Sequence, residues 1–390
     1  MAIEGRDDSG AGARVRLGMV GGGQGAFIGA VHRLAARMDD KYELVAGALS
    51  SDPDRALASA RELGIAEDRS YGDYNEMAKR ERRLKAGVEA VSIVTPNNSH
   101  YPIAKAFVQA GIHVICDKPM VTSSSDAKKL KKMVEKSGVI FAVTYNYSGY
   151  PVIRHAREMI ANGDLGDIRV VQVEYVQDWL TQKIEGQGIK QADWRTDPKQ
   201  SGAGGCVGDI GTHAYHLACF VTGLQPEQLS ADLTTFVPGR QLDDHVHVML
   251  RFAGGAKGML WASQVSPGNE NALALRIYGT KGGLHWRQED PNYLWHTPFG
   301  EPKRLITRGG AGAGGAAERM TRVPPGHPEG YLEGFGNIYS EVAAAIQARR
   351  SGGKADGAVL YPTIDEGASG VAFIEAAVKS SERDGRWVSL

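Results

Sequence analysis

Three side chains in this sequence have the type and setting for moving a proton. Lys118 closes the run Val114-Ile115-Cys116-Asp117-Lys118-Pro119-Met120. The apolar part reads as a buried strand, and Asp-Lys-Pro ends it abruptly. In an open α/β sheet, ligands bind beyond the carboxyl ends of the strands, so Lys118 would stand at such an edge. Pro119 lacks an N–H and restricts Lys118 to extended conformations, which fixes where the ammonium points. The other two, Asp209 and His213, fall in Gly208-Asp209-Ile210-Gly211-Thr212-His213. From Asp209 onward this stretch reads as helix, and residues four apart share a helix face. A carboxylate beside an imidazole orients it and raises its basicity, as a general base needs. Each residue alone also has a plainer reading: a solvated lysine at a strand end, an aspartate complementing a helix dipole, a partly buried histidine.

A glycine turn precedes them. Residues 15–20 read as a strand, followed at once by Gly21-Gly22-Gly23-Gln24-Gly25-Ala26. This matches G-x-G-x-x-A, one form of the dinucleotide fingerprint. Gly21 would make the tight turn, Gly23 would let the backbone approach a pyrophosphate, and Ala26 would let helix pack on strand. A helix over 26–38 would offer its first amides to the phosphates. The second strand, 42–49, should end in the residue that reads the ribose: an acid selects NAD, and a nearby Arg tolerates the phosphate of NADP. Ser50 holds that position, Ser51 follows, and Arg55 sits farther on in a helix, so NAD is slightly preferred over NADP. Thr95-Pro96-Asn97-Asn98-Ser99-His100 lies at the same sheet edge. It suits contact with the ribose or nicotinamide end and equally suits helix capping by Asn98 or Ser99.

The elements that must position these groups alternate. Strands are expected at 15–20, 42–49, 90–94, 113–116 and 139–144, with helices at 26–38, after Asp52-Pro53, at 101–110 and at 127–136. Such alternation means an α/β Rossmann fold with a doubly wound parallel sheet. Past residue 144 the pattern changes. Tyr145-Asn146-Tyr147 and Gly149-Tyr150-Pro151 cross into a helix at 152–161. A strand at 168–176 leads to a long irregular stretch, 178–206, carrying Trp179 and Trp194-Arg195. Loops with Trp and Arg line sugar or anion sites, and also pack as ordinary surface loops. Strands at 244–252, 257–265 and 273–278, helices at 331–349 and 365–383, and a closing strand at 387–390 complete an α+β domain. Alternating polar and apolar residues in 244–252 imply a large open, mainly antiparallel sheet with one buried face. The expected divisions are a flexible tail (1–13), a dinucleotide domain (14–146) and a substrate and oligomerisation domain (147–390). Residues 309–317 are low in complexity and expected to be mobile, and His327 has no assigned role.

Composition narrows the field. A chain of 390 residues has room for two or three domains. Lys+Arg and Asp+Glu both total 45, so no global field favours nucleic acid or membrane. No apolar run is long enough to span a bilayer, and the N-terminus lacks a secretory h-region, so a cytoplasmic location is expected. Cys116, Cys206 and Cys219 lack CxxC spacing and read as core fillers in a reducing compartment. His245 and His247 share a strand face, but no spaced Cys or Glu joins them, so no metal is expected.

These motifs, in order, together with Gly279-Thr280-Lys281-Gly282, make the chain resemble the glucose-fructose oxidoreductase / inositol dehydrogenase / MocA family from residue 15 to 390. It departs from the usual pattern in three places. Asp117 stands for Glu before the lysine, Tyr147 stands where an Arg is common, and no acid follows the second strand. The resemblance implies an NAD(P)-dependent dehydrogenase that oxidises a secondary hydroxyl of a cyclic polyol, pyranose or anhydrosugar, and a homodimer or homotetramer. It makes Lys118, Asp209 and His213 a catalytic trio. His213 would take the proton, Lys118 would hold the oxygen, and Asp209 would orient His213 and contact a neighbouring hydroxyl. Cofactor contacts would come from Gly21, Gly23, Gln24, Gly25, Ala26, Phe27, Ile28, Ser50, Ser51, Arg55, Thr95, Pro96, Asn97, His100, Asp117 and Lys118. Substrate contacts would come from Tyr145, Tyr147, Trp194, Arg195, Asp209 and His213. An NAD-dependent glycosidase or lyase working by transient oxidation and elimination is the alternative, with Tyr145, Tyr147 and His327 as spare acid–base groups. A non-enzymatic nicotinamide sensor, or a metal hydrolase using Asp209, His213 and His216, stands further off.

Overall fold

Five short apolar strands form a parallel sheet: β1 (Val15–Gly21), β2 (Tyr42–Ala48), β3 (Ala90–Val94), β4 (His113–Cys116) and β5 (Phe141–Val143), in the order β2-β1-β3-β4-β5. The computed structural model describes residues 13–390. Every residue of β3 is buried, as a strand covered on both faces must be. Asp52 caps the helix Pro53–Glu62 by accepting from the Arg55 amide, with Pro53 at the first position. Of the expected tail, residues 1–12 lie outside the described residues, and the Ala13 carbonyl accepts from Arg350 at 2.9 Å.

The division at residue 147 is not clean in space. The helix Tyr331–Arg350 lies within the expected second domain in sequence, yet it packs on the first sheet. Phe335, Ile338, Tyr339 and Val342 share a core with Val15, Leu17, Val31 and Ile115. Thr363 then bridges Ala142 antiparallel beside β5. Periodicity predicts that a helix buries a face; it does not say which sheet receives it.

The second sheet has nine strands: β6 (Ile168–Val176), β7 (Pro226–Thr234), β8 (His245–Phe252), β9 (Lys257–Ser263), β10 (Ala272–Gly279), β11 (Gly282–Arg287), β12 (Tyr293–Pro298), β13 (Arg304–Thr307) and β14 (Val388–Ser389). Their order is β13-β12-β11-β10-β6-β9-β8-β7-β14, antiparallel except for β6 beside β9. In β8, Val246, Val248, Leu250 and Phe252 point into the core, while His247, Met249 and Arg251 point out. The helices Pro151–Ala161, Thr212–Thr222 and Ile364–Ser381 cover the inner face. Residues 309–317 do not hang free as expected. A helical turn, Gly315–Glu318, buries Ala317, and the Gly314 amide donates to His155 Nδ1 at 3.1 Å.

Candidate active site

The glycine turn at the end of β1 is built by conformation and by close approach. Gly21 and Gly22 have φ of 77° and 73°, a region that side-chain-bearing residues avoid. A Cβ on Gly29 would lie 2.4 Å from the Gly22 Cα, so Gly29 is the packing glycine, not Ala26 as the fingerprint reading has it. The reason is register. The helix begins at Phe27, and Gly29 is the residue that faces back onto the turn. A Cβ on Gly23 would meet the Leu49 carbonyl and the Ser59 hydroxyl, each at 2.7 Å, so this glycine also lets the end of β2 close in. No side chain caps the helix Phe27–Met38, and its first turn holds no acid. Its positive end is therefore available to an anion, and these residues fit the pyrophosphate of a dinucleotide.

A cavity of ≈ 1110 Å³ runs from this turn into the second domain. That is at the upper end of ligand-pocket volumes, consistent with a dinucleotide plus a small second molecule. The first domain lines it with Gly21, Gly23, Gln24, Ala26, Phe27, Ile28, Ser50, Ser51, Arg55, Thr95, Pro96, Asn97, Asp117 and Lys118. The second lines it with Tyr147, Trp179, Trp194, Arg195, Asp209 and His213.

Three expected contacts are not among the lining residues. Gly25 has positive φ, and a Cβ added there would meet nothing within 4 Å. His100 is fully buried; its ring nitrogens lie 2.9 Å from the Pro119 carbonyl and 2.8 Å from the Thr95 carbonyl. It buckles the loops after β3 and β4 together rather than facing a ligand. The Tyr145 hydroxyl bonds Thr212 at 3.0 Å, and its ring stacks on His216 at 4.1 Å, behind His213.

Lys118 follows β4, and its amide and the Thr144 hydroxyl both donate to the Asp117 carboxylate, at 3.1 and 2.8 Å. The Lys118 ammonium reaches across to the second domain. It donates to Asp209 Oδ1 at 2.9 Å and to the Asp209 main-chain carbonyl. Asp209 sits in a π-helical turn, Val207–Gly211, ahead of the helix Thr212–Thr222. Asp243 pins the entry of that turn by accepting from the Gly205 and Val207 amides at 2.6 and 2.8 Å.

No hydrogen bond joins Asp209 to His213, contrary to the helical-face expectation. The π turn is wider than an α turn, so residues four apart do not stack. The carboxylate is instead taken up by Lys118 on Oδ1, and by Gln264 at 2.9 Å and Arg195 at 3.2 Å on Oδ2. Burial alone would raise its pKa, but the Lys118 and Arg195 charges outweigh burial and hold Asp209 well below the usual carboxylate range. His213 Nδ1 is buried without a partner, and Tyr145, Tyr147 and Tyr175 meet its ring edge-on at 5.0 to 6.2 Å between centroids. Burial first, then the Lys118 ammonium, push the imidazole well below its ordinary pKa, so it is neutral near neutral pH.

The reading by motif missed Asn146, Tyr175, Gln177, Gln264, Asn271 and Gln288. All but Gln264 line the cavity, and Gln264 reaches it through Asp209. They are scattered amides and a tyrosine, brought together by the pairing of β6 with β10 and by the loops that follow. Spacing along the chain carries no sign of them. Trp194 lies under the Arg195 guanidinium at 4.2 Å, which orients that side chain toward Asp209.

A glycine-turn parallel sheet, joined through a shared cavity to an open second sheet, defines a two-domain nicotinamide-dependent oxidoreductase. Residues 15–145 match the model described as oxidoreductase family, NAD-binding Rossmann fold, and residues 153–285 match the GFO/IDH/MocA C-terminal domain. The chain belongs to the Gfo/Idh/MocA oxidoreductase family. It is similar to an oxidoreductase structure from Sinorhizobium meliloti, at 60% identity and TM-score 0.88, covering 96% of this chain and 99% of that one. It is also similar to an inositol dehydrogenase homolog complexed with NAD+ from Azotobacter vinelandii, at 35% identity and TM-score 0.93, covering 99% and 100%. Levoglucosan dehydrogenase of Pseudarthrobacter phenanthrenivorans is 26% identical over 96% of this chain and 98% of its own. No helix among the described residues is long and apolar enough to cross a membrane.

Proposed function

We propose that the protein oxidises a secondary hydroxyl of a cyclic polyol, pyranose or anhydrosugar, with NAD preferred over NADP. One observation carries the reading. Lys118 and His213 come from separate domains and line the same cavity, which begins at the dinucleotide turn. Relatives named an inositol dehydrogenase homolog and a levoglucosan dehydrogenase support the substrate class. The bound dinucleotide supplies the hydride acceptor.

The chain's own residues handle the proton and the charge. With a proton on buried Nδ1, His213 presents the lone pair of Nε2 to the cavity and accepts the hydroxyl proton there. An ammonium has three N–H donors. Asp209 engages two of those of Lys118, leaving one for the substrate oxygen as negative charge develops on it. Asp209 thus aims the lysine rather than the histidine. Ser50, with its hydroxyl accepting from the Asp52 amide at 3.1 Å, and Arg55 flank the expected ribose site. Assembly through the open face of the second sheet, where Met249, Met259 and Tyr278 are exposed, belongs to the same proposal.

Of the three spare groups of the glycosidase alternative, Tyr147 alone lines the cavity. Tyr145 lies behind His213, and His327 is exposed in a loop that does not line the cavity. The test is spectrophotometric. Purified protein is offered NAD or NADP with a panel including myo-inositol, levoglucosan and glucose. Reduction of nicotinamide by a member of this class is expected; no reduction with any of them would refute the assignment.

A further inference from the structure

We infer that Tyr147 is a specificity-determining residue whose phenolic oxygen acts as a hydrogen-bond acceptor, selecting substrates with a free hydroxyl beside the one oxidised. The inference rests on the dehydrogenase reading above. It follows from the polarity of a side-chain chain along one wall of the cavity. The Trp179 indole N–H can only donate, and it donates to Gln177 Oε1 at 3.0 Å. That fixes the Gln177 amide, whose Nε2 then donates to Asn271 Oδ1 at 2.7 Å. Asn271 is fixed in turn, its Nδ2 donating to Gln288 Oε1 at 3.2 Å. Its Oδ1 can only accept, so the Tyr175 hydroxyl, 2.8 Å away, must donate to it.

The Tyr175 proton is thereby used. The 2.5 Å contact between the Tyr147 and Tyr175 hydroxyls must therefore have Tyr147 as donor. Tyr147 is left with lone pairs alone to offer a ligand. A phenol can normally give or take; here one indole four residues back in the relay removes the choice.

Position says which hydroxyl is read. Tyr147 meets the His213 ring at 5.0 Å between centroids, next to the group proposed to take the proton. The Trp179, Gln177, Asn271, Tyr175 and Tyr147 wall is neutral throughout, so it suits an uncharged ring substituent that donates. An ether, a fluorine or a hydrogen at that position finds an acceptor and nothing to satisfy it. Sites built to pair a substrate hydroxyl reject analogues that lack it, because a buried polar group is left unpaired.

The experiment takes the fastest substrate among myo-inositol, levoglucosan and glucose, with its monodeoxy and deoxyfluoro analogues next to the oxidised carbon. Wild-type enzyme is expected to lose about 10- to 100-fold in kcat/KM with both analogues. Tyr147→Phe is expected to lose a similar factor with the parent compound and little further with the analogues. Equal rejection of the fluoro and deoxy compounds by wild type needs no variant, and it separates an acceptor from a donor. Wild-type discrimination retained in Tyr147→Phe, or fluoro compounds tolerated by wild type, would overturn the role of Tyr147 while leaving the dehydrogenase intact. Failure of every parent compound to reduce NAD or NADP would remove both.

Discussion

The Lys118 ammonium lies 2.9 Å from Oδ1 of Asp209, and the two residues belong to different domains. Their side chains are 13% and 14% exposed. The pair therefore closes the cavity wall at the point where the sheet edge of one domain meets the π turn of the other.

Removing one member of a largely buried pair leaves the other charge without its partner. Asp209→Asn is expected to destabilise the fold by about 3 kcal/mol. Urea denaturation followed by tryptophan fluorescence measures it; a midpoint equal to wild type would show that the pair is not holding the domains.

Acid should weaken this protein before its carboxylates titrate. Burial, helped by Arg154 and Arg157, pushes His216 from 6.5 down to about 3, and burial pushes His113 down to about 4. A depressed folded pKa contributes stability that is complete above the unfolded value and is lost as pH falls toward the folded one, because the unfolded chain takes up the proton first. The melting temperature should fall from about pH 7 to about pH 5. His216→Phe keeps the ring stacked on Tyr145 and cannot titrate, so it should flatten that slope. An unchanged slope would mean that His216 is not charged on unfolding in this window.

Gly29→Ala tests the corrected fingerprint. The added methyl would enter the Gly22 backbone, where no flexible side chain can yield. Overpacking of this kind costs about 1–3 kcal/mol, or roughly 10- to 100-fold in dinucleotide affinity if it falls on the turn. Titration of NADH fluorescence reads it directly. Tight binding in Gly29→Ala would return the packing role to Ala26.

Arg240 uses all five of its N–H donors, on the Leu180 and Gln182 carbonyls, both Glu185 oxygens and Asp244. It thus anchors the loop that carries Trp179, Trp194 and Arg195 into the cavity. Arg240→Met should raise KM for the fastest substrate of the panel about tenfold or more while leaving the dinucleotide dissociation constant within about twofold. Equal weakening of both ligands would indicate general loss of structure rather than a misplaced loop.

The first sheet was legible because its signals are local. Alternating apolar strands, the glycine turn and the Asp52-Pro53 cap each act over a few residues. Strands β6, β8, β9 and β10 were legible for the same reason. Strands β7, β11, β12 and β13 were not, because short strands of mixed composition owe their conformation to neighbours in the sheet.

Within the site, Lys118 was legible from the strand end that presents it. The partnership of Asp209 was not. Counting four residues assumes an α-helix, and the π turn breaks that assumption. His100 and Tyr145 have the residue types of ligand contacts, and only the three-dimensional packing shows them spent on a loop buckle and on Thr212. The amide relay through Gln177 and Asn271 spans residues 147–288 and has no linear signature.

Lys118 and His213 are proposed to act on one hydroxyl. Their joint action is read from kcat/KM for Lys118→Met, His213→Phe and the double variant on the fastest substrate of the panel. Residues that work as a unit are non-additive. Each single variant is expected to lose about 10²- to 10⁴-fold, and the double variant little more than the worse single. Wild-type turnover in either single variant, or losses that multiply in the double, would contradict it.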